Sequence, residues 1–196
     1  QQVAMGYWNL TAFAETLTRY VSIERLQEIL DGYAVIQQQA YLKAMRARLG
    51  LIGEQDDDAL LIDKLLVQLD HSGVDYALFF RNLGDLPAAQ ALEKLRDEFV
   101  NRAAFDEWVS EFMARIANDT RTQEQRREEM HAVNPLYMLR NYLIQIAIEA
   151  AEDDDYAPLH KLHQVLSSPF TEQEGCAEYA ERPPQWGKHL SISCSS

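Results

Sequence analysis

Apolar residues recur at helical spacing through most of this chain, and helix after helix is the first prediction. Trp8, Leu10, Phe13, Ala14 and Leu17 make the opening stripe. Ser22 then stands before Ile23, Leu26, Ile29 and Leu30 as a plain serine N-cap, since Arg25 occupies the position where a capping box needs Glu or Gln. The same helix is expected to run on through Tyr33, Ile36, Tyr41 and Met45 to Leu49, with Gly50 as its stop and Arg46 and Arg48 in its last turn. Gly53 and the acidic run 56–58 mark a loop into a helix carrying Leu60, Leu61, Leu65, Leu66 and Leu69. His71-Ser72-Gly73 breaks it, and Asp75 is expected to cap a short helix with Leu78, Phe79 and Leu83, ended by Gly84 and Pro87. Leu92, Leu95 and Phe99 form a further stripe, and Phe105, Trp108, Val109, Phe112, Met113 and Ile116 a strongly amphipathic one.

Asn134-Pro135 reads as a helix start, with asparagine as N-cap and proline at the first helical position. The helix expected after it, through Leu139, Leu143, Ile146 and Ile148 to Glu152, is apolar enough to be the most buried of all. A last short helix covers 156–166. Beyond Ser168-Pro169, prolines, glycines and polar residues dominate, anchored by Phe170, Tyr179, Trp186, Leu190 and Ile192. No convincing period-two alternation or repeat occurs. The fold class is therefore all-α, an irregular helical bundle over 1–167 with an extended C-terminal tail over 168–196.

Composition narrows the functional classes. Hydrophobic residues are 47% of the 196, enough for a real core, but no apolar run approaches the ~20 residues of a membrane span. The formal charge of −13 argues against nucleic acid and against anionic membranes. Arg121, Arg126 and Arg127 come closest to a basic patch, yet Glu124, Glu128 and Glu129 interleave with them, which reads as a solvated helix face. The chain begins on Gln1 rather than methionine, so a piece of a longer protein is expected, and no secretory signal is visible.

Catalytic signatures are absent: there is no glycine-rich phosphate loop, GxSxG elbow, HExxH or kinase-type catalytic loop. His160 and His163 share a helix face without a third ligand at matching spacing, so a solvated face is the reading there. Glu149 with Glu152, and the acids 153–155, are explained as a charge run at a helix end. Arg140 and Asn141 stand out as polar groups in an apolar helix. Two readings stay open for them: Arg140 pairs with a neighbouring carboxylate and fixes packing, or the helix supports an active site built elsewhere. The two cysteines, Cys176 and Cys194, form neither a disulfide framework nor a metal clip.

Several segments together resemble selenoprotein O proteins, a family of protein adenylyltransferases. Tyr7-Trp8-Asn9-Leu10 with Phe13-Ala14 is similar to the segment that follows the family's active site. Asn134-Pro135-Leu136-Tyr137-Met138-Leu139-Arg140-Asn141-Tyr142-Leu143-Ile144-Gln145, continuing into Ala147-Ile148-Glu149-Ala150-Ala151-Glu152, resembles its hallmark NPxYxLRNYLxQxAIEAAE. Asp75-Tyr76 with Leu78-Phe79-Phe80-Arg81-Asn82-Leu83 agrees, and Pro183-Pro184-Gln185-Trp186 followed by Ser191-Ile192-Ser193-Cys194-Ser195-Ser196 resembles the C-terminus, where some members carry selenocysteine. Between about residue 86 and 132 the likeness is only one of helicity.

The resemblance implies a parent with a kinase-like, pseudokinase fold that binds ATP and magnesium and moves AMP onto protein hydroxyls (AMPylation). The residues holding nucleotide and metal would lie upstream of the Trp8-Asn9-Leu10 segment, so no catalytic, cofactor or metal residue is carried over to this chain. Its partners would be the upstream kinase-like core and the parent's protein substrates, in a bacterial cytoplasm. Asn134, Arg140 and Asn141 are then candidate structural supports. Cys194 is a candidate redox residue, able to form a reversible disulfide that pins the tail, against the reading of an inert surface thiol. The rival to the whole scheme is a stand-alone helical protein-interaction module.

Overall fold

A computed structural model of the protein describes residues 2–188 and 190–192. Among them the regular structure is all helical, with no strand. No helix is long and apolar enough to cross a membrane. The chain divides into two compact units, Gln1–Arg46 and Ala47–Ser196.

The first unit holds α1 (Gln2–Thr16) and most of α2 (Ile23–Leu49). Both ends of α2 follow from local sequence. The Ser22 hydroxyl accepts the Arg25 N–H at 3.3 Å, and Gly50 at φ 66° takes the left-handed conformation that ends a helix. Ala14 packs on Leu26 and Leu30, and Tyr7 meets Tyr33 at 6.1 Å between ring centroids, so the two helices run antiparallel. That seam is thin. Most of the α1 stripe lies outside it: Trp8 is 63% exposed and Phe13 62%, and of the five stripe residues only Ala14 is buried. Two helices meet along one line, held by Ala14, Leu26 and Leu30 with Leu17 and Val21 against them, and Trp8 and Phe13 lie off that line.

The second unit contains α3 (Asp58–Ser72), α4 (Tyr76–Leu83), α5 (Ala89–Arg96), α6 (Arg102–Ile116), α7 (Gln123–Val133), α8 (Asn141–Glu152) and α9 (Ala157–Leu166). α3 pairs with α6 and α8 with α9, while α4 touches α5 and α7. The core is aromatic. Phe99 stacks on Phe105 at 4.2 Å, Trp108 on Phe112 at 5.1 Å, and Phe79 meets Phe99, Phe105 and Trp108 edge-on. The indole N–H of Trp108 donates to the Leu61 carbonyl at 2.9 Å, so its one polar atom is satisfied inside the core. The buried Asp58 carboxylate accepts from Arg115 at 2.6 Å and from the Gln55 N–H at 3.0 Å, closing the loop before α3 onto α6.

Two expectations fail. Arg126 is 4% exposed and Arg121 13%, so this is no solvated face. Arg121 is bound to Asp119, Glu129 and the Gly50 carbonyl, and Arg126 donates to the Leu86 carbonyl beneath the Phe112 ring. Only Arg127, paired with Asp85 at 2.8 Å, remains half-exposed. Along the sequence the glutamates seem to partner these arginines, but loop carbonyls far off in the chain claim two of the three. The second failure is α8, whose only buried residues are Tyr142 and Ala147; Ile146 and Ile148 stand 40% and 39% exposed. A helix lying at the margin of its unit buries one stripe, however apolar its other faces.

The 134–142 segment and the C-terminal tail as candidate functional site

Asn134 does not begin a helix. It ends α7, in extended conformation (φ −106°, ψ 104°), with its N–H on the Met130 carbonyl, and α8 starts only at Asn141. Pro135 accounts for the end of α7, because its ring disfavours helical geometry in the residue before it. The backbone of 135–140 is then free to pair elsewhere: the Leu136 and Tyr137 N–H groups both donate to the Pro169 carbonyl, at 2.8 and 3.1 Å.

This non-helical hinge gathers four parts of the chain. The Asn134 side chain, 1% exposed, donates to the Arg48 carbonyl at 2.8 Å and the Phe80 carbonyl at 3.5 Å. Its backbone carbonyl accepts from Arg81 at 3.0 Å, and Arg81 also holds the carbonyls of His131 and Phe170. Arg140 reaches the Asp75 carboxylate at 2.7 Å, both side chains 13% exposed. Asp75 meanwhile caps α4 by accepting the Leu78 N–H at 3.1 Å. Burial pushes the Asp75 carboxyl up, but the bonds from Arg140 and Leu78 and the charges of Arg140 and Arg182 outweigh it and hold it below the usual carboxylate value. Asn141 donates to the Leu190 carbonyl at 2.8 Å.

The tail is seated through the same hinge. Tyr137 is buried, and its hydroxyl accepts the Gln173 N–H at 3.0 Å. It packs with Val165 and Cys176, a thiol only 1% exposed. Two short 3₁₀ turns follow, Ala177–Ala180 and Gln185–Gly187. Arg182 pairs with Glu98 at 2.6 Å, and Trp186 meets Tyr142 edge-on at 6.0 Å.

A cleft of about 750 Å³ opens beside the hinge, lined by Arg81, Arg127, His131, Tyr137, Glu172 and Glu174 among others. Burial, then the charges of Arg81 and Arg127, push the His131 imidazole down, which favours its neutral form. With Asp85 on Arg127, and Glu172 and Glu174 also in the lining, acids outnumber arginines in the cleft and it is not anion-selective.

Asn134, Arg140 and Asn141 are thus brought to one hinge, each engaged in a bond to a distant segment. His160 and His163 are both exposed on α9. No group of three or more His, Cys, Asp or Glu among the described residues could hold a metal ion. Cys194 lies outside the described residues. Sequence reasoning passed over Arg81, Tyr137, Cys176 and the Glu98–Arg182 pair. Of these, Tyr137 and Arg81 carried a signal, Tyr137 as the aromatic inside the NPxYxLRNY pattern and Arg81 inside the family-like 78–83 segment.

Comparison with known proteins places these observations in a lineage. The family model described as "Protein adenylyltransferase SelO" matches residues 1–167. Over 196 residues the chain is 55% identical to the "Protein nucleotidyltransferase YdiU" of Pseudomonas fluorescens (strain SBW25). Over 195 residues it is 54% identical to proteins of that name from Pseudomonas putida (strain GB-1) and Pseudomonas entomophila (strain L48). Each alignment covers 100% of this chain but 40% of the relative, so the chain spans about two fifths of the length of the curated relatives it matches.

Proposed function

Because the chain belongs to the SelO family of protein adenylyltransferases, we propose that it is the C-terminal helical part of a cytoplasmic protein nucleotidyltransferase that moves AMP from ATP to protein hydroxyl groups. In this reading nucleotide and magnesium bind on a kinase-like core outside these residues, and the chain supplies packing and positioning. The observation that carries it is the chemistry of the donor set. Among the described residues the buried acids Asp58, Asp75 and Asp119 are paired with Arg115, Arg140 and Arg121, a donor set that serves packing rather than a magnesium-bound triphosphate.

The exposed face of the first unit supports the same reading. Trp8 and Phe13 on α1, with Ile29 and Ile36 on α2, are each more than half exposed, more apolar surface than a solvated hairpin needs. The kinase-like core is the partner that would cover it.

Labelled ATP, magnesium and a protein acceptor provide the test. The chain alone should transfer no AMP, while the same chain extended upstream through the core should. Micromolar, magnesium-dependent ATP binding by the chain alone, measured by calorimetry, would overturn the proposal. Should the reading frame instead open just before Gln1, the stand-alone interaction module replaces it.

A further inference from the structure

The tail is attached in two different ways. Its inner part, 169–180, is built into the second unit: the Pro169 carbonyl takes two backbone N–H groups of the hinge, Gln173 is bonded to Tyr137, Val165 and Ser168, and Cys176 is buried. Its outer part, described over 181–188 and 190–192, is held otherwise. The backbone hydrogen bonds of that part are local: Gly187 to Pro184 at 2.9 Å, Lys188 to Gln185 at 3.5 Å and Leu190 to Gly187 at 3.4 Å. What ties it to the body is a small set of side-chain contacts at one place. Glu98, its side chain 12% exposed, receives Arg182; the Asn141 amide receives the Leu190 carbonyl; and the Tyr142 ring receives Trp186 and Gly187.

Those contacts have the character of ligand recognition. A carboxylate meets a guanidinium, an amide meets a main-chain carbonyl, and a phenol ring meets an indole edge-on. Gly187 is selected by size. A Cβ built there would fall 2.7 Å from Tyr142 Cβ and 3.3 Å from Tyr142 Cγ, and Tyr142 Cβ is anchored to α8 and cannot swing aside. Trp186 is 57% exposed while Tyr142 beneath it is 7% exposed, so the segment lies across the body like a strap instead of filling it. A cleft of about 420 Å³ continues from Tyr142 past Leu143, Ile146 and Tyr179 to Pro184.

We propose that the outer tail is a detachable strap, an intramolecular ligand for a site built by Glu98, Asn141 and Tyr142, which leaves and rebinds as a unit while the inner tail stays folded. Release uncovers Tyr142 and opens the cleft beside it, part of whose lining, at Glu181, Arg182 and Pro184, is the strap itself. Sub-global opening of this kind is expected where few buried contacts hold a segment and its described backbone-to-backbone bonds are all local.

The test is hydrogen exchange in the intact chain, with Gly187→Ala as the lever and Asn141→Ala as a second, exposed substitution that removes only the amide on Leu190. Each should accelerate exchange of the Lys188 and Leu190 amides by about tenfold or more and raise iodide quenching of the Trp186 indole. Exchange at Gln173 and Cys176, and the melting temperature, should stay at parent values. Unchanged Lys188 and Leu190 amides in both variants would overturn the proposal. So would parallel acceleration at Gln173 and Cys176, which would make the tail one integral element. Parent Lys188 and Leu190 amides already exchanging like an unfolded peptide would overturn it too.

Discussion

Replacing Asp75 by asparagine isolates the charge that ties the 134–142 hinge to the start of α4. Asparagine keeps an oxygen for the Leu78 N–H and is as good an N-cap as aspartate, so the cap survives. What goes is the anion facing Arg140 at 2.7 Å. An exposed pair of this kind contributes about 0–1 kcal/mol, and breaking a fully buried one costs about 3–5 kcal/mol. With both side chains 13% exposed, and with Arg140 Nε already buried without a hydrogen-bond partner, the lone guanidinium would be left in a poorly solvated place. The expected cost of Asp75→Asn is thus about 2–3 kcal/mol, on the order of a 1 M loss in urea midpoint. Arg140→Gln should cost less, because a neutral Asp75 can persist, and the double variant should show a coupling energy of about 1–2 kcal/mol. Urea unfolding followed by far-ultraviolet circular dichroism measures all four corners of the cycle. The pH dependence has a definite sign. A carboxyl whose folded value lies below its ordinary 3.8 contributes stability above that value and loses it as pH falls through the lower folded value. Acidification from about pH 5 should therefore erode the parent more steeply than Asp75→Asn. A coupling below about 0.5 kcal/mol at neutral pH would refute the argument, since it would place the pair among exposed ones.

Three further outcomes are expected. Gly50→Ala should destabilise by about 2–4 kcal/mol in the same urea experiment, because alanine at φ 66° is strained and its Cβ would meet Met130 Sδ at 2.6 Å. Asp58→Ala should cost about 3–5 kcal/mol by leaving Arg115, 10% exposed, opposite an empty site, and thermal melting should show it directly. Trp108→Phe keeps the ring stack with Phe112 but removes the indole bond to the Leu61 carbonyl, which retains its helical N–H partner, a loss of about 0.5–1.5 kcal/mol by denaturant titration.

Local rules reached as far as local physics does. α2 from Ile23 to Leu49 was legible from end to end because a serine hydroxyl starts it, a glycine stops it and the interactions between are three or four residues apart. The Asp75 cap and α6 were legible for the same reason. Asn134-Pro135 was not, since the dipeptide suits a helix start as well as a stop. In the fold the Leu136 and Tyr137 N–H groups, which an Asn134 cap would have received, go to the Pro169 carbonyl, while the Asn134 amide is held by the Arg48 and Phe80 carbonyls. The candidate site shows the same division. Its polar members Asn134, Arg140 and Asn141 could be named from an unusual pattern, but their partners Arg48, Asp75 and Leu190 could not.

The sequence by itself determined that this protein is all-helical, where several of its helices begin and end, and, through the NPxYxLRNY run, to which family it belongs. Only the tertiary structure decided which polar groups were to be buried. Arg126 is buried on the Leu86 carbonyl and Arg121 among Asp119, Glu129 and the Gly50 carbonyl, and Arg140 was drawn to Asp75 across sixty-five positions. Periodicity records which face a residue occupies on its own helix. It holds no record of what the rest of the chain brings against that face, and the free energy of a buried charge depends on that partner.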